Sequence, residues 1–156
     1  MSTPDELIER LALAPHPEGG WFRRAHTGTV SVTDPDGGTR PGLTLIYYLL
    51  ERGSHSAWHR IDADEVWHAV AGAGFRLWTL RAGEPRCQTI TPGDGADAWV
   101  VVPGGTWQAA EIDGDWGLAT CTVGPGFDFT RFTLLRDDSA SRHLLDALAP
   151  EMQRLA

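Results

Sequence analysis

Hydrophobic and polar positions alternate along most of this chain in short runs of period two, with a helical spacing at either end. Leu7, Ile8, Leu11 and Leu13 fall on one helical stripe. Thr3, Pro4, Asp5 and Glu6 ahead of them read as an N-cap, a proline at the first helical position and a capping-box glutamate. This helix should stop before Pro15, and 16–20 (His-Pro-Glu-Gly-Gly) should form a loop. Candidate strands follow over 21–27, 43–50, 56–61, 65–70, 75–81, 86–90, 99–102, 106–110, 116–123 and 131–135. The run 43–50 is β-branched and aromatic without breakers and predicts a buried strand. Thr33 to Gly38 is a turn cluster, expected to be mobile. Leu144, Leu145 and Leu148 give a second short helix before Pro150, with Ser139 or Ser141 as its cap. Strand starts recur every roughly 8–12 residues, the spacing of sandwiches and barrels. The pattern predicts one domain over 1–156, all-β, with its barrel over about 16–136 and a short helix at each end.

Composition narrows the partners. A chain of 156 residues can bury a core without covalent staples. The net charge is −8, and arginine supplies every positive side chain because lysine is absent. An acidic chain with no basic block argues against nucleic acid as a partner. Cys87 and Cys121 have no metal or redox spacing and read as reduced thiols of a cytoplasmic protein. The first ten residues are polar, without a signal-peptide pattern, and no apolar run reaches the ~18 residues of a membrane span. Local arginine clusters could still hold one anionic small molecule.

Chemistry concentrates in 53–72, Gly-Ser-His-Ser-Ala-Trp-His-Arg-Ile-Asp-Ala-Asp-Glu-Val-Trp-His-Ala-Val-Ala-Gly. A hairpin centred near Asp62 would set His59 opposite Glu65 on one face, with Cβ atoms ~4.5–5.5 Å apart. An imidazole beside a carboxylate inside a barrel would serve as an acid/base pair or as a ligand-orienting pair. Trp67 shares the parity of Glu65, whereas His68 has the opposite parity. Tyr47 and Tyr48 alternate, so only one of them can face a pocket. Gln108 is a candidate inward amide, and Arg23, Arg24 and Arg60 are candidate anion clamps.

The spacing of Gly53, His59, Glu65 and Gly72 resembles the first cupin motif. The position of its second metal-ligand histidine holds Ile61. The segment Pro103-Gly104-Gly105-Thr106-Trp107-Gln108 resembles the second cupin motif, with Gln108 where the ligand histidine stands. Together with Pro17-Glu18-Gly19-Gly20-Trp21, the run from His59 to His68, and Thr122 to Phe129, these segments resemble the cupin-5 family over roughly Leu7 to Leu135. That resemblance implies a double-stranded β-helix (cupin jelly-roll barrel) with an internal pocket, usually a homodimer. A wider likeness is to dTDP-sugar 3,5-epimerases and germin-like proteins.

With two of four usual ligands replaced, no metal and no cofactor are expected. The expected function is a metal-independent isomerase, epimerase or lyase acting on a small carbonyl or sugar-like metabolite. His59 would be the base, Glu65 its orienting partner and Tyr48 the acid. Trp67, His68, Gln108, Arg60, Arg23 and Tyr47 would contact the ligand. A non-catalytic binding module is the alternative. A metalloenzyme using His59, Glu65 and either His68 or Gln108 is a third reading. The segment Pro17 to Arg24 is the expected edge-pairing or exchanged strand of a homodimer.

Overall fold

A computed structural model gives the architecture and describes residues 2–148 and 150–156. Helix α1, Pro4–Leu11, starts on the expected capping box. The Thr3 hydroxyl accepts from the Glu6 amide at 3.3 Å, and the Glu6 carboxylate accepts from the Thr3 amide at 3.0 Å. Thirteen strands follow. They are β1 (Ala14–Pro15), β2 (Trp21–Thr27), β3 (Ser31–Thr33), β4 (Thr39–Pro41), β5 (Thr44–Glu51), β6 (His55–Arg60), β7 (Asp64–Gly72), β8 (Phe75–Arg81), β9 (Glu84–Ile90), β10 (Trp99–Val102), β11 (Trp107–Ile112), β12 (Trp116–Gly124) and β13 (Thr133–Leu134). Helix α2, Ser139–Leu148, comes last, and a 3₁₀ segment Pro150–Leu155 follows it. The Asp138 side chain, rather than a serine, caps α2 by accepting from the Ser141 amide at 3.1 Å.

Two antiparallel sheets face each other, one ordered β1-β2-β5-β12-β7-β10 and the other β13-β6-β11-β8-β9. Consecutive strands thus change sheet repeatedly, as a jelly roll requires. This corrects the hairpin expected around Asp62. β6 and β7 lie in different sheets: His59 pairs with Gln108 and Leu134, and Glu65 pairs with Val102 and Val123. The segment 61–63 is a corner that carries the chain from one wall of the barrel to the other. The turn cluster 34–38 is the tip of a small arm, β3 paired with β4. Arg40 pins that arm, with Nε 2.8 Å from Asp34 and Nη1 2.9 Å from Asp62. The expected strand 131–135 shortens to two residues because 3₁₀ turns flank it on both sides.

Period-two alternation sorts the side chains. Tyr48, Leu50, Trp67, Ala69, Phe75, Leu77, Ile90, Val100, Val102, Ala110, Ala119 and Cys121 fill the barrel from one end. On the outer face of the larger sheet, Leu7 and Leu13 cover Leu49 and Leu118. On the outer face of the smaller sheet, Leu145, Met152 and Leu155 cover Trp58, Leu80, Trp107 and Ala109. The side chains of Leu144 and Leu148, expected on the same face of α2, lie outside the described residues. Two kinds of helix packing therefore close the outside of the sandwich, and the unfilled end of the barrel is left as a cavity.

Candidate active site

The cavity is narrow, with an interior of about 30 Å³ that opens to solvent. Phe22 and Arg24 of β2, Thr44 and Ile46 of β5, and Cys121 and Val123 of β12 form one wall. His59 and Ile61 stand on the opposite wall, Glu65 sits at the floor, and Phe127 and Phe132 roof the opening. The 16–20 loop adds His16 and Glu18. That loop is held by its glycines. Gly19 and Gly20 both take positive φ, 107° and 68°, where a side chain is strained. A Cβ on Gly20 would stand 2.7 Å from the Leu49 carbonyl oxygen. Only glycine lets the loop press on β5 closely enough to drop Glu18 into the barrel.

Four titratable side chains converge. The His59 Nδ1 lies 2.8 Å from the Ala57 carbonyl oxygen and 3.3 Å from Glu18 Oε2. A carbonyl only accepts, so Nδ1 carries the proton and Nε2 of the neutral ring keeps its lone pair. Phe132 stacks on this ring at 5.5 Å. The His16 Nδ1 accepts from the Glu18 amide at 3.2 Å, so neutral His16 is a donor at Nε2. The Ser56 hydroxyl donates to Glu18 Oε1 at 2.9 Å. At the floor, Trp67 Nε1 donates to Gln108 Oε1 at 3.0 Å, and Gln108 Nε2 donates to Glu65 Oε2 at 2.6 Å. The indole thereby fixes which end of the amide meets the carboxyl.

Burial sets the protonation states, because an enclosed site disfavours the charged form. It pushes the Glu18 carboxyl up to about 8 against the pull of its Ser56 hydrogen bond. Burial likewise raises Glu65 to about 7, with the His59 ring pulling the other way. It lowers His59, opposed by the Glu65 charge. His16 falls to about 3 through burial and then through repulsion from His59. Near neutral pH the cavity therefore holds two neutral imidazoles, a protonated Glu18 and a half-titrated Glu65. Such a set can accept a proton at one atom and supply one at another.

Of the residues expected from sequence, His59 and Glu65 meet across the barrel, from different sheets. Trp67 and Gln108 lie beneath the cavity and reach it only through Glu65. Tyr48 is fully buried in the filled end of the barrel, and its hydroxyl donates to the Gly19 carbonyl at 2.7 Å. It braces the glycine loop and is not placed to act as the acid. His68 is exposed on the outer face of β7, opposite Trp99, because odd and even positions of a strand point to opposite sides. The same alternation sends Arg23 outward over the Tyr47 ring, at 5.7 Å. Arg60 stacks on Trp107 at 4.6 Å and approaches Asp138 at 3.7 Å. None of His68, Arg23, Tyr47 and Arg60 lines the cavity. His16 and Glu18, read only as loop, do line it. Their signal was a polar pair held against two adjacent glycines, which no periodicity marks.

The donor set does not fit a metal. Ile61 lines the cavity where a ligand would stand, and Gln108 turns an N–H toward Glu65 rather than an oxygen toward a shared centre. His68, the other nonstandard partner considered, points out of the barrel. Among the described residues no three His, Cys, Asp or Glu side chains gather as a metal site.

Comparison with known proteins agrees with the barrel. The family described as "Cupin superfamily (DUF985)" matches residues 5–135. The uncharacterized protein YML079W of Saccharomyces cerevisiae is 28% identical over 92% of this chain and 81% of its own length. A hypothetical protein from Leishmania major superposes with a TM-score of 0.84 at 25% identity, over 99% of both chains. Protein SO0799 from Shewanella oneidensis gives 0.84 at 29% identity, over 100% of this chain and 98% of its own. Oxalate decarboxylase OxdC of Bacillus subtilis, at 15% identity and 0.60 over 91% of this chain and 36% of its own, shares the fold.

Proposed function

This chain belongs to the DUF985 family of the cupin superfamily, and we propose that it is a metal-independent proton-transfer enzyme acting on a small carbonyl or sugar-like metabolite. The observation that carries this reading is the free Nε2 of His59, facing a cavity whose carboxyls are protonated or half-protonated near neutral pH. His59 Nε2 takes the proton from the carbon next to the carbonyl group. Glu65 gives its proton to the carbonyl oxygen, which yields a neutral enol, or an enediol where the adjacent carbon carries a hydroxyl. The His59 imidazolium returns its proton to the same carbon for epimerisation, or to the former carbonyl carbon of the enediol for isomerisation, while a hydroxyl proton passes back to the Glu65 carboxylate. Glu18 and the Ala57 carbonyl hold the imidazole in the tautomer the step requires, the orienting role that sequence had given to Glu65.

The test is exchange of substrate α-hydrogen for deuterium in heavy water, followed by NMR over a panel of small keto sugars and aldehydes. His59→Ala and Glu65→Gln should each lower exchange by about 100-fold or more, the usual weight of a positioned acid or base. Activity requires protonated Glu65 and neutral His59. The rate should therefore fall as pH rises through about 7, and again on the acid side once His59 takes a proton. Saturable binding with no exchange across the panel would replace the enzyme with a binding module.

A further inference from the structure

Arg24 is the cation at this cavity that the proton-transfer reading does not use. It follows Phe22 at a spacing of two on β2, so both side chains fall on the inner face, and both line the cavity. The register of β2 against β5 slips between Arg24 and His26, a bulge of the kind that re-aims a side chain beside a site. Among the described residues Arg24 makes no ion pair. The guanidinia at positions 40, 52, 60, 76, 86, 131 and 154 each meet a carboxylate; those at 10, 23, 81, 136 and 142 make no ion pair among the described residues either, but none of them lines this cavity. The carboxyls nearest the cavity are engaged elsewhere. Glu18 takes the Ser56 hydroxyl, and Glu65 takes the Gln108 amide. Around Arg24 the wall is otherwise Phe22, Thr44 and Ile46. The result is one unpaired, fork-shaped donor at the opening of a narrow cleft in a chain of net charge −8. A cation kept there without a partner suits a ligand that brings its own negative charge.

We propose that Arg24 anchors the carboxylate of a short 2-oxo or 2-hydroxy acid at the mouth, with the oxo or hydroxyl group held inward toward His59 and Glu65. This rests on the proton-transfer reading only for the inward end. The anionic anchor stands on the placement of Arg24. The narrow interior limits the inward part to a few non-hydrogen atoms. The phenyl rings at positions 22, 127 and 132 suit a short apolar branch better than a polyhydroxylated chain.

The probes are 2-oxobutyrate and 4-methyl-2-oxopentanoate, each compared with its uncharged amide by tryptophan fluorescence titration of the full chain. The acids should bind about tenfold or more tightly than their amides, the order of one charge-assisted contact. Arg24→Gln should remove that preference, weakening the acids about tenfold and leaving the amides unchanged, while Arg24→Lys retains part of it. Equal binding of acid and amide to the parent, a preference that survives in R24Q, or no binding of any of the four compounds at about 10 mM overturns the anchor. Failure of the catalytic reading looks different. The acids would then bind in an Arg24-dependent way with no deuterium exchange in the parent chain.

Discussion

Replacing Glu18 with glutamine should flatten the dependence of stability on pH, and the size of the effect follows from where Glu18 sits. Its carboxyl ordinarily titrates near 4.5 and is held up to about 8 in the fold. Between those values the folded chain binds a proton that the unfolded chain has released. Stability linked to this group is therefore full below about 4.5 and is lost as pH rises toward 8. The slope is roughly 1.4 kcal/mol per pH unit, which integrates to a loss on the order of 5 kcal/mol by alkaline pH. Glu65 works in the same direction up to about 7. His16 works in the other: its folded value near 3 means that stability falls as pH drops below the ordinary histidine range. In the difference between parent and E18Q the His16 contribution cancels, and the Glu65 contribution shrinks because the Glu18 charge helps to raise it, which adds to the effect in the same direction. Glutamine keeps the shape, and its amide oxygen still accepts from Ser56. Urea unfolding followed by tryptophan fluorescence, from about pH 5 to about pH 9, gives the difference directly. E18Q should nearly match the parent at the acid end and exceed it by several kcal/mol at the alkaline end. Parallel curves, or a variant that loses ground as pH rises, would refute the view that Glu18 is a protonated acid in the fold.

Gln108→Leu should cost about 2–5 kcal/mol in urea unfolding, because it strips the buried Trp67 N–H and the Glu65 carboxyl of partners together; a loss under about 1 kcal/mol would mean that the floor network contributes little. Arg40→Met should cost about 1–3 kcal/mol, because the buried Asp34 carboxylate loses its 2.8 Å partner and keeps only Arg131 at 3.3 Å, and limited proteolysis should then cut first in the β3–β4 arm. Elemental analysis of the purified protein should find no stoichiometric zinc, iron or manganese, since catalytic zinc usually needs about three protein ligands; a metal lost on His59→Ala would reverse this. Light scattering at micromolar concentration should give twice the mass of the chain, because β2 beyond Trp21 and Phe22 has a strand on one side only and open edges favour pairing; a monomeric mass would remove the dimer.

The strands were legible because short runs of strand-forming residues are closed by Gly, Pro or Asp, whether they alternate, as β10 does, or are buried throughout, as β11 is. The bounds 21–27, 75–81 and 99–102 coincide with β2, β8 and β10, where Gly, Pro or Asp closes the pattern within a few residues. The arm of β3 and β4 escaped notice because three-residue strands around Asp-Pro-Asp-Gly-Gly show turn chemistry and no period. Sheet membership was the larger loss. Alternation says that His59 and Glu65 point inward, but it does not say which strand each one pairs with. A tight turn and a barrel corner look alike at Ile61-Asp62-Ala63. His16 and Glu18 were invisible for a related reason. They enter the site through a loop that local hydrogen bonds between His16, Glu18, Gly19 and Gly20 close, but whose approach to the barrel is set by contact with β5, more than 25 residues away. Tyr48 shows the opposite limit. Its inward direction was readable, but the occupation of its hydroxyl by Gly19 was not.

Ile61 and Gln108 separate this barrel from a metal-binding one by only two side chains. The His59 tautomer that frees Nε2 for proton transfer is also the one a metal ion would demand. Glu65 already stands at the floor, where a fourth donor belongs. Changing both positions to histidine (I61H with Q108H) should therefore convert an acid/base cavity into a chelating one on an unchanged backbone. Both positions already face the His59–Glu65 pair, since Ile61 lines the cavity and Gln108 reaches Glu65.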